Sequence, residues 1–358
     1  MKITRRFLAL LLAATPVFLL AQAVAPPARP LTVTPTPPPA LGRWEGLIGE
    51  YGTGDNKAAG GKLAENKAYV LEKDGSLYFR LHDTDEKLAP ERPNHFRMGE
   101  KEAVFSRGAN GVATSFTIGD VSYPRLPFSA VSGGVFHIVP LKPVAELTKL
   151  ALADHPPVER GEFLPADLVE VVKLDPSIKL DIRYATTNNF LGTPVYSEAR
   201  AFMERPAAEA VVRANRRLKP LGYGLLIHDA YRPWYVTKVF WDATPDAMKK
   251  FVADPSEGSR HNRGCAVDIT LYDLKTGKEI PMTGVYDEMS DRSYPNYPGG
   301  TSLQRWHREL LRQAMEDEGF TVYEFEWWHF DYKGWQKYPI LNITFDAIKP
   351  DPATHSKH

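Results

Sequence analysis

A chain of 358 residues with 44 basic and 44 acidic side chains is long enough for two domains and carries no net charge to draw it to a polyanion. It has no basic run and no domain-wide excess of Lys and Arg, so the charge pattern gives no support for nucleic-acid binding. Its one cysteine, Cys265, excludes an intrachain disulfide framework.

The chain opens on Met1-Lys2-Ile3-Thr4-Arg5-Arg6, an apolar run from Phe7 to Leu20, and Ala21-Gln22-Ala23. That order predicts a secretory signal peptide over residues 1–25. The run is short and contains Pro16, which argues against a permanent membrane span after cleavage. No cysteine follows to carry a lipid, so the expected address is periplasmic or secreted. Residues 26–40, dominated by Pro, Ala and Thr, predict an extended linker that can bury no core.

From residue 41 to about 145 the texture is that of short strands. Lys67 to Leu81 reads as strand, Asp74-Gly75 turn, strand. Ala103–Phe105, Val112–Ile118 and Val135–Val139 continue the pattern, predicting a small all-β accessory domain, barrel or sandwich. It loosely resembles the lipocalin-like domains appended to some secreted serine hydrolases. Its histidines, His82, His95 and His137, are scattered and mark no site. A Pro-spaced linker over 146–161 follows, with a short helix expected from Ala145 to Ala153.

Residues 162–345 predict an α+β domain, with a tail from 346 to 358. Strands are expected at Leu168–Val172, Ile178–Tyr184 and Leu225–Asp229, and a single aromatic-rich strand from Phe320 to Tyr332. Helices are expected at Ala207–Leu218, Asp246–Val252 and Leu303–Glu318, the last ended by Gly319. Helices followed by a mainly antiparallel sheet give the fold class.

The chemistry concentrates in Ser259-Arg260-His261-Asn262-Arg263-Gly264-Cys265-Ala266-Val267-Asp268 and in Glu326-Trp327-Trp328-His329. A lone histidine is ordinarily a surface or hydrogen-bonded core residue. Asp268, though, lies in the apolar run Ala266–Leu271, where an acid is costly unless paired or coordinated. His261, Asp268 and His329 could supply three metal ligands, which leaves one tetrahedral position open, the mark of a catalytic zinc site. Glu326, close to His329 but not needed as ligand, is the natural general base and acid. The two are three apart, however, and a regular strand would point them to opposite faces. An irregular strand end or a bulge is therefore expected there.

Ser-x-His-x-x-Gly-x-Ala-x-Asp followed by Glu-x-Trp-His resembles the zinc D-alanyl-D-alanine dipeptidases, including those of vancomycin resistance. Tyr184–Phe190, His228-Asp229-Ala230-Tyr231-Arg232-Pro233 and Tyr286-Asp287-Glu288-Met289 fit the same family in the same order, so the resemblance covers roughly residues 164–337. It implies one Zn2+ per chain on His261, Asp268 and His329, with Glu326 as base and acid. It also implies Arg232 stabilising the transition state and Asp287 receiving the substrate's ammonium. Ser259 and Tyr184 are weaker substrate contacts, and Val195-Tyr196-Ser197-Glu198 carries its tyrosine at a different offset from the family's. Cys265 fills a slot the motif leaves open and reads as a packing residue. The expected substrate is a small D,D-dipeptide or a peptidoglycan stem peptide. The alternatives are a D,D-carboxypeptidase or peptidoglycan endopeptidase using the same zinc site, or a non-catalytic wall-binding protein.

Overall fold

The computed structural model describes residues 30–52, 67–126 and 135–348. The expected signal peptide and most of the expected tail lie outside them. No helix among the described residues is long and apolar enough to cross a membrane.

The N-terminal unit is a meander of eight strands: β1 (Gly49–Gly52), β2 (Lys67–Lys73), β3 (Ser76–Leu81), β4 (Thr84–Arg92), β5 (His95–Met98), β6 (Lys101–Arg107), β7 (Ala113–Ile118) and β8 (Val121–Pro124). Each pairs antiparallel with the next. A bridge between Tyr51 and Arg125, and a bond from the Leu126 amide to the Glu50 carbonyl, bring the last strand to the first. Of the barrel or sandwich expected, the structure forms a barrel, closed or nearly so, which removes most exposed edges. Its interior is packed with Leu77, Phe79, Leu88, Phe96, Phe105 and Phe116. Phe105 and Phe116 stack with centroids 4.4 Å apart.

Val135–Val139, expected as a further strand of this unit, forms none. The Ile138 amide bonds to the Phe190 carbonyl, and Phe136 and Ile138 join the larger C-terminal core. Their burial is satisfied by that core without a ladder. The Pro-rich linker also docks: the carbonyls of Thr32 and Thr34 accept from Gln313 and Trp306.

The C-terminal unit contains helices α1 (Val144–Leu152), α2 (Arg205–Leu218), α3 (Trp234–Ala243) and α4 (Ser302–Glu316). Strands β9 (Leu168–Glu170) and β11 (Phe202–Glu204) form a small ladder. The main sheet runs β10 (Lys179–Leu180), β12 (Tyr223–Asp229), β13 (Ala266–Asp273), β15 (Glu326–Tyr332), β14 (Phe320–Tyr323). Only β10–β12 is parallel. Strand β13 is central and buried on both faces, so it reads as a near-continuous apolar run. Helix α4 starts on a full capping box between Thr301 and Gln304.

Three further segments depart from their expected form. Leu168–Val172 is a three-residue strand followed by one helical turn, Val171–Leu174. Ile178–Tyr184 keeps only two strand residues before a 3-10 turn at Arg183–Ala185. Phe320–Tyr332 is two antiparallel strands, because the chain reverses at Glu324-Phe325.

Glu204, at the end of β11, is fully buried. One carboxylate oxygen accepts from the Asp167 amide, while the other has no partner among the described residues. Burial first, and the nearby Asp167 charge to a lesser degree, push this carboxyl up to about 7 against the opposing amide bond. The folded state therefore keeps the proton above 4.5, where an unfolded glutamate releases it. Its contribution is most favourable below about pH 4.5 and is lost as pH rises through about 7. Glu204→Gln is expected to raise stability at pH 8 by about 1–3 kcal/mol and by clearly less at pH 5.5. Thermal melts at the two pH values check this; an equal gain at both would refute it.

Candidate metal and catalytic site

The site forms where the central strand meets its neighbours. In the β13–β15 pairing Asp268 lies directly opposite His329, and in the β12–β13 pairing it lies opposite Asp229. Cross-strand partners share a face and approach closely. His261 comes from the 3-10 turn His261–Arg263 just before β13. That turn ends on Gly264, whose φ of +62° suits glycine. A Cβ there would lie 2.6 Å from Leu168 Cδ2 and 3.1 Å from the Glu204 amide, so a side chain would push the loop away.

Three donor atoms converge. His261 Nε2 is 3.0 Å from His329 Nδ1 and 3.2 Å from Asp268 Oδ1, and His329 Nδ1 is 3.1 Å from Asp268 Oδ1. Ligands at zinc bond lengths of about 2.0–2.1 Å in a tetrahedron stand about 3.3–3.4 Å apart, so the triangle is close to the size a zinc ion requires. The outer ring nitrogens fix the tautomers. His261 Nδ1 is 2.6 Å from the Ala230 carbonyl oxygen, and His329 Nε2 is 2.9 Å from Asp331 Oδ1. A carbonyl or a carboxylate can only accept, so each outer nitrogen carries a hydrogen, and in the neutral imidazole each inner nitrogen presents a lone pair. Two lone pairs and a carboxylate oxygen aimed at one point repel unless a cation or a shared proton lies between them. The donor set therefore fits a divalent metal ion.

The electrostatics point the same way. Burial alone would disfavour the imidazolium of His329, but Asp331 and Asp268 outweigh it and lift the group to about 10. Burial also opposes ionisation of Asp268, yet His261 and His329 hold its carboxyl well below the usual range. Positive charge is what this point stabilises.

Glu326 stands beside the triangle, with Oε2 3.8 Å from His329 Nδ1. The odd spacing is accommodated by a register shift: Val322 pairs with Phe330, but the next residue, Tyr323, pairs with Glu326. This irregularity turns both side chains toward one cleft. Burial pushes Glu326 up to about 8, with Asp268 adding to the shift and His329 and Arg232 opposing it.

Arg232 is fixed on the other side. Its Nη2 and Nε lie 2.8 and 3.0 Å from Asp229 Oδ2, and its guanidinium sits 4.7 and 5.5 Å from the ring centroids of Phe240 and Tyr184. Nη2 is 3.8 Å from Asp268 Oδ2. Asp229 is in turn held by the Tyr196 hydroxyl at 2.7 Å, so Tyr196 braces the arginine's partner. Asp287 takes a φ of +60° and accepts from the Tyr184 hydroxyl through Oδ1 at 2.9 Å. Its Oδ2 is buried without a partner among the described residues. Burial first, then the Asp268 charge, raise its carboxyl well above the ordinary range. Ser259 Oγ accepts from the His261 amide at 3.2 Å.

All eight residues singled out in the sequence, namely Tyr184, Arg232, Ser259, His261, Asp268, Asp287, Glu326 and His329, line this one cleft. Others were not singled out. Asp331, two residues after His329 on the same strand face, was findable from that spacing. Tyr286, whose hydroxyl is 2.9 Å from Asp268 Oδ2, lies inside a quoted motif without an assigned role. The Ala230 carbonyl leaves no sequence signal. Cys265 is buried with its thiol pushed up mainly by burial, as a packing residue would be.

Comparison with known proteins agrees in extent with this unit. A family model described as D-ala-D-ala dipeptidase matches residues 165–346. A D-alanyl-D-alanine dipeptidase of Escherichia coli K12 is 33% identical over 182 residues, covering 51% of this chain and 93% of the relative. One from Enterococcus faecium is 35% identical over 174 residues, 43% of this chain and 85% of the relative. One from Streptomyces coelicolor is 34% identical over 188 residues, 48% of this chain and 93% of the relative. With half its length matched by that family model, and with a donor set that could hold a metal ion, the chain belongs to the D-ala-D-ala dipeptidase family.

Proposed function

We propose that this protein is an exported zinc-dependent peptidase that hydrolyses D-alanyl-D-alanine and related free D,D-dipeptides in peptidoglycan fragment turnover. The observation that carries the reading is the donor triangle of His261, Asp268 and His329 with a non-ligating carboxylate, Glu326, 3.8 Å from one corner. His261, Asp268 and His329 would hold a zinc ion, which would supply Lewis acidity toward the scissile carbonyl and lower the pKa of a water. Glu326 is placed to take a proton from the attacking water and to pass it to the departing amine nitrogen as the C–N bond breaks. The Arg232 guanidinium, immobilised by Asp229, faces the charge that develops on the carbonyl oxygen. Asp331 and the Ala230 carbonyl keep the two imidazoles in the ligating tautomer.

The unpartnered Asp287 oxygen supports the choice of a free dipeptide. A substrate ammonium satisfies it, whereas an acylated amine leaves it buried and unpaired. Ser259 and Tyr184 contribute to the walls of the same cleft. The Arg5-Arg6 and apolar N-terminal pattern supports export, which places the reaction on wall fragments outside the cytoplasm.

The test is amine release from D-Ala-D-Ala by the purified protein, with chelator and with zinc restored. Hydrolysis is expected, lost on chelation and recovered with metal. N-acetyl-D-Ala-D-Ala is expected to react about 10- to 100-fold less efficiently, and Asp287→Asn to erase that preference. A metal-loaded protein that leaves the dipeptide intact defeats the proposal. Equal rates on free and acylated substrates would instead mark a carboxypeptidase.

A further inference from the structure

The loop from Met282 to Thr301, between β13 and α4, carries Asp287 into the cleft with a left-handed backbone that a non-glycine residue adopts at a cost. Something must hold it there. Within the loop the Glu288 carboxylate does part of this, accepting from the Val285 amide at 3.1 Å and from Ser290 Oγ at 2.8 Å. The rest comes from the other domain.

Lys67, at the start of β2, is buried with its Nζ 3.0 Å from Asp291 Oδ2 and 3.0 Å from Glu50 Oε2 on β1. Asp291, 1% exposed, sits four residues beyond Asp287. Glu50 also accepts from the Tyr297 hydroxyl at 2.8 Å, and Tyr297 packs edge-on against Tyr69 of β2. Glu72, at the far end of β2, is fully buried. Its side chain accepts from the Ser302 amide at 2.8 Å, and its own amide donates to the Gly300 carbonyl at 3.1 Å. One strand of the barrel thus grips the loop at Asp291 and again at its junction with α4. Breaking a buried ion pair at one partner leaves an uncompensated charge, so the first grip is a stiff one.

We infer that the N-terminal barrel is a positioning element for the substrate-binding loop, acting through Lys67 on Asp291 to fix Asp287 where the substrate's free amine arrives. This rests on the dipeptidase reading for the meaning of Asp287, while the mechanical coupling stands independently of it. Lys67 touches no reacting atom; it acts on ground-state binding. Its loss raises KM for the free dipeptide and weakens discrimination against the acylated one, leaving kcat in place.

The test uses the full-length, zinc-loaded protein. Lys67→Met is expected to raise KM for D-Ala-D-Ala about tenfold with kcat within about twofold, and Lys67→Arg to restore it. The milder Glu50→Gln, which keeps size and leaves Lys67 paired to Asp291, is expected to give about a threefold rise and serves if Lys67→Met does not fold. Amide hydrogen exchange across residues 285–293 is measured alongside and is expected to quicken in the variants, with the amides of β13 unchanged. Unchanged exchange and unchanged KM in a folded variant overturn the proposal, as does a proportional fall of kcat with folded fraction. If the wild-type protein shows no dipeptide hydrolysis, the dipeptidase reading fails while the exchange result still decides the coupling.

Discussion

Glu326→Gln is expected to retain its bound zinc and to lose about two to four orders of magnitude in kcat, with KM little changed. The substitution keeps the shape of a side chain that no ligand position requires, because His261, Asp268 and His329 already form a complete three-donor set. What disappears is the ability to accept a proton. Glu326 is half-buried, and desolvation pushes its carboxyl up to about 8, with Asp268 adding to that effect and His329 and Arg232 working against it. A divalent cation at the donor triangle pulls it back toward the ionised form that a base needs. If Glu326 is the base of the proposed reaction, the acid limb of the pH–rate profile is expected to disappear in Glu326→Gln. Metal content by elemental analysis, together with kcat over pH 5 to 9, checks the claim. A variant that binds zinc and turns over normally would remove Glu326 from the chemistry.

Arg232→Lys is expected to cost about two to three orders of magnitude in kcat, with metal content and fold retained. The charge is preserved and only its geometry changes. The guanidinium reaches Asp229 with two nitrogens while lying over Phe240 and Tyr184, an arrangement that a flat, forked cation can adopt and an ammonium cannot. A lysine there would keep a bond to Asp229 and lose the orientation toward the cleft. Steady-state kinetics on the dipeptide, with circular dichroism to check the fold, separate loss of transition-state stabilisation from unfolding. A kcat within threefold of wild type would mean that Arg232 serves only to neutralise Asp229.

Much of the site was legible because its residue types are expensive to bury without purpose. Asp268 in an apolar run announced a partner, and its partners arrived in motifs whose spacing is local: His261 seven residues before it, and Glu326 three before His329. The conflict between that three-residue spacing and strand periodicity pointed to the irregularity that the β14–β15 register shift now accounts for. The unread parts are those settled by contacts far apart in sequence. The reversal at Glu324-Phe325 carries no glycine or proline, so an aromatic run looked like one strand. Phe136 and Ile138 have the alternation of a strand, but the C-terminal core, not a ladder, takes them up. Lys67 and Asp291 are 224 positions apart and individually look like surface charges. Nothing local marks them as a buried pair.

Cys265 is the chain's sole sulfhydryl and lies wholly beneath the surface, between the His261–Arg263 turn and β13. Thiol-directed dyes or spin labels should therefore find no native target while the protein is folded. A cysteine introduced on the barrel and another on α4 would then report the separation of the two units without background.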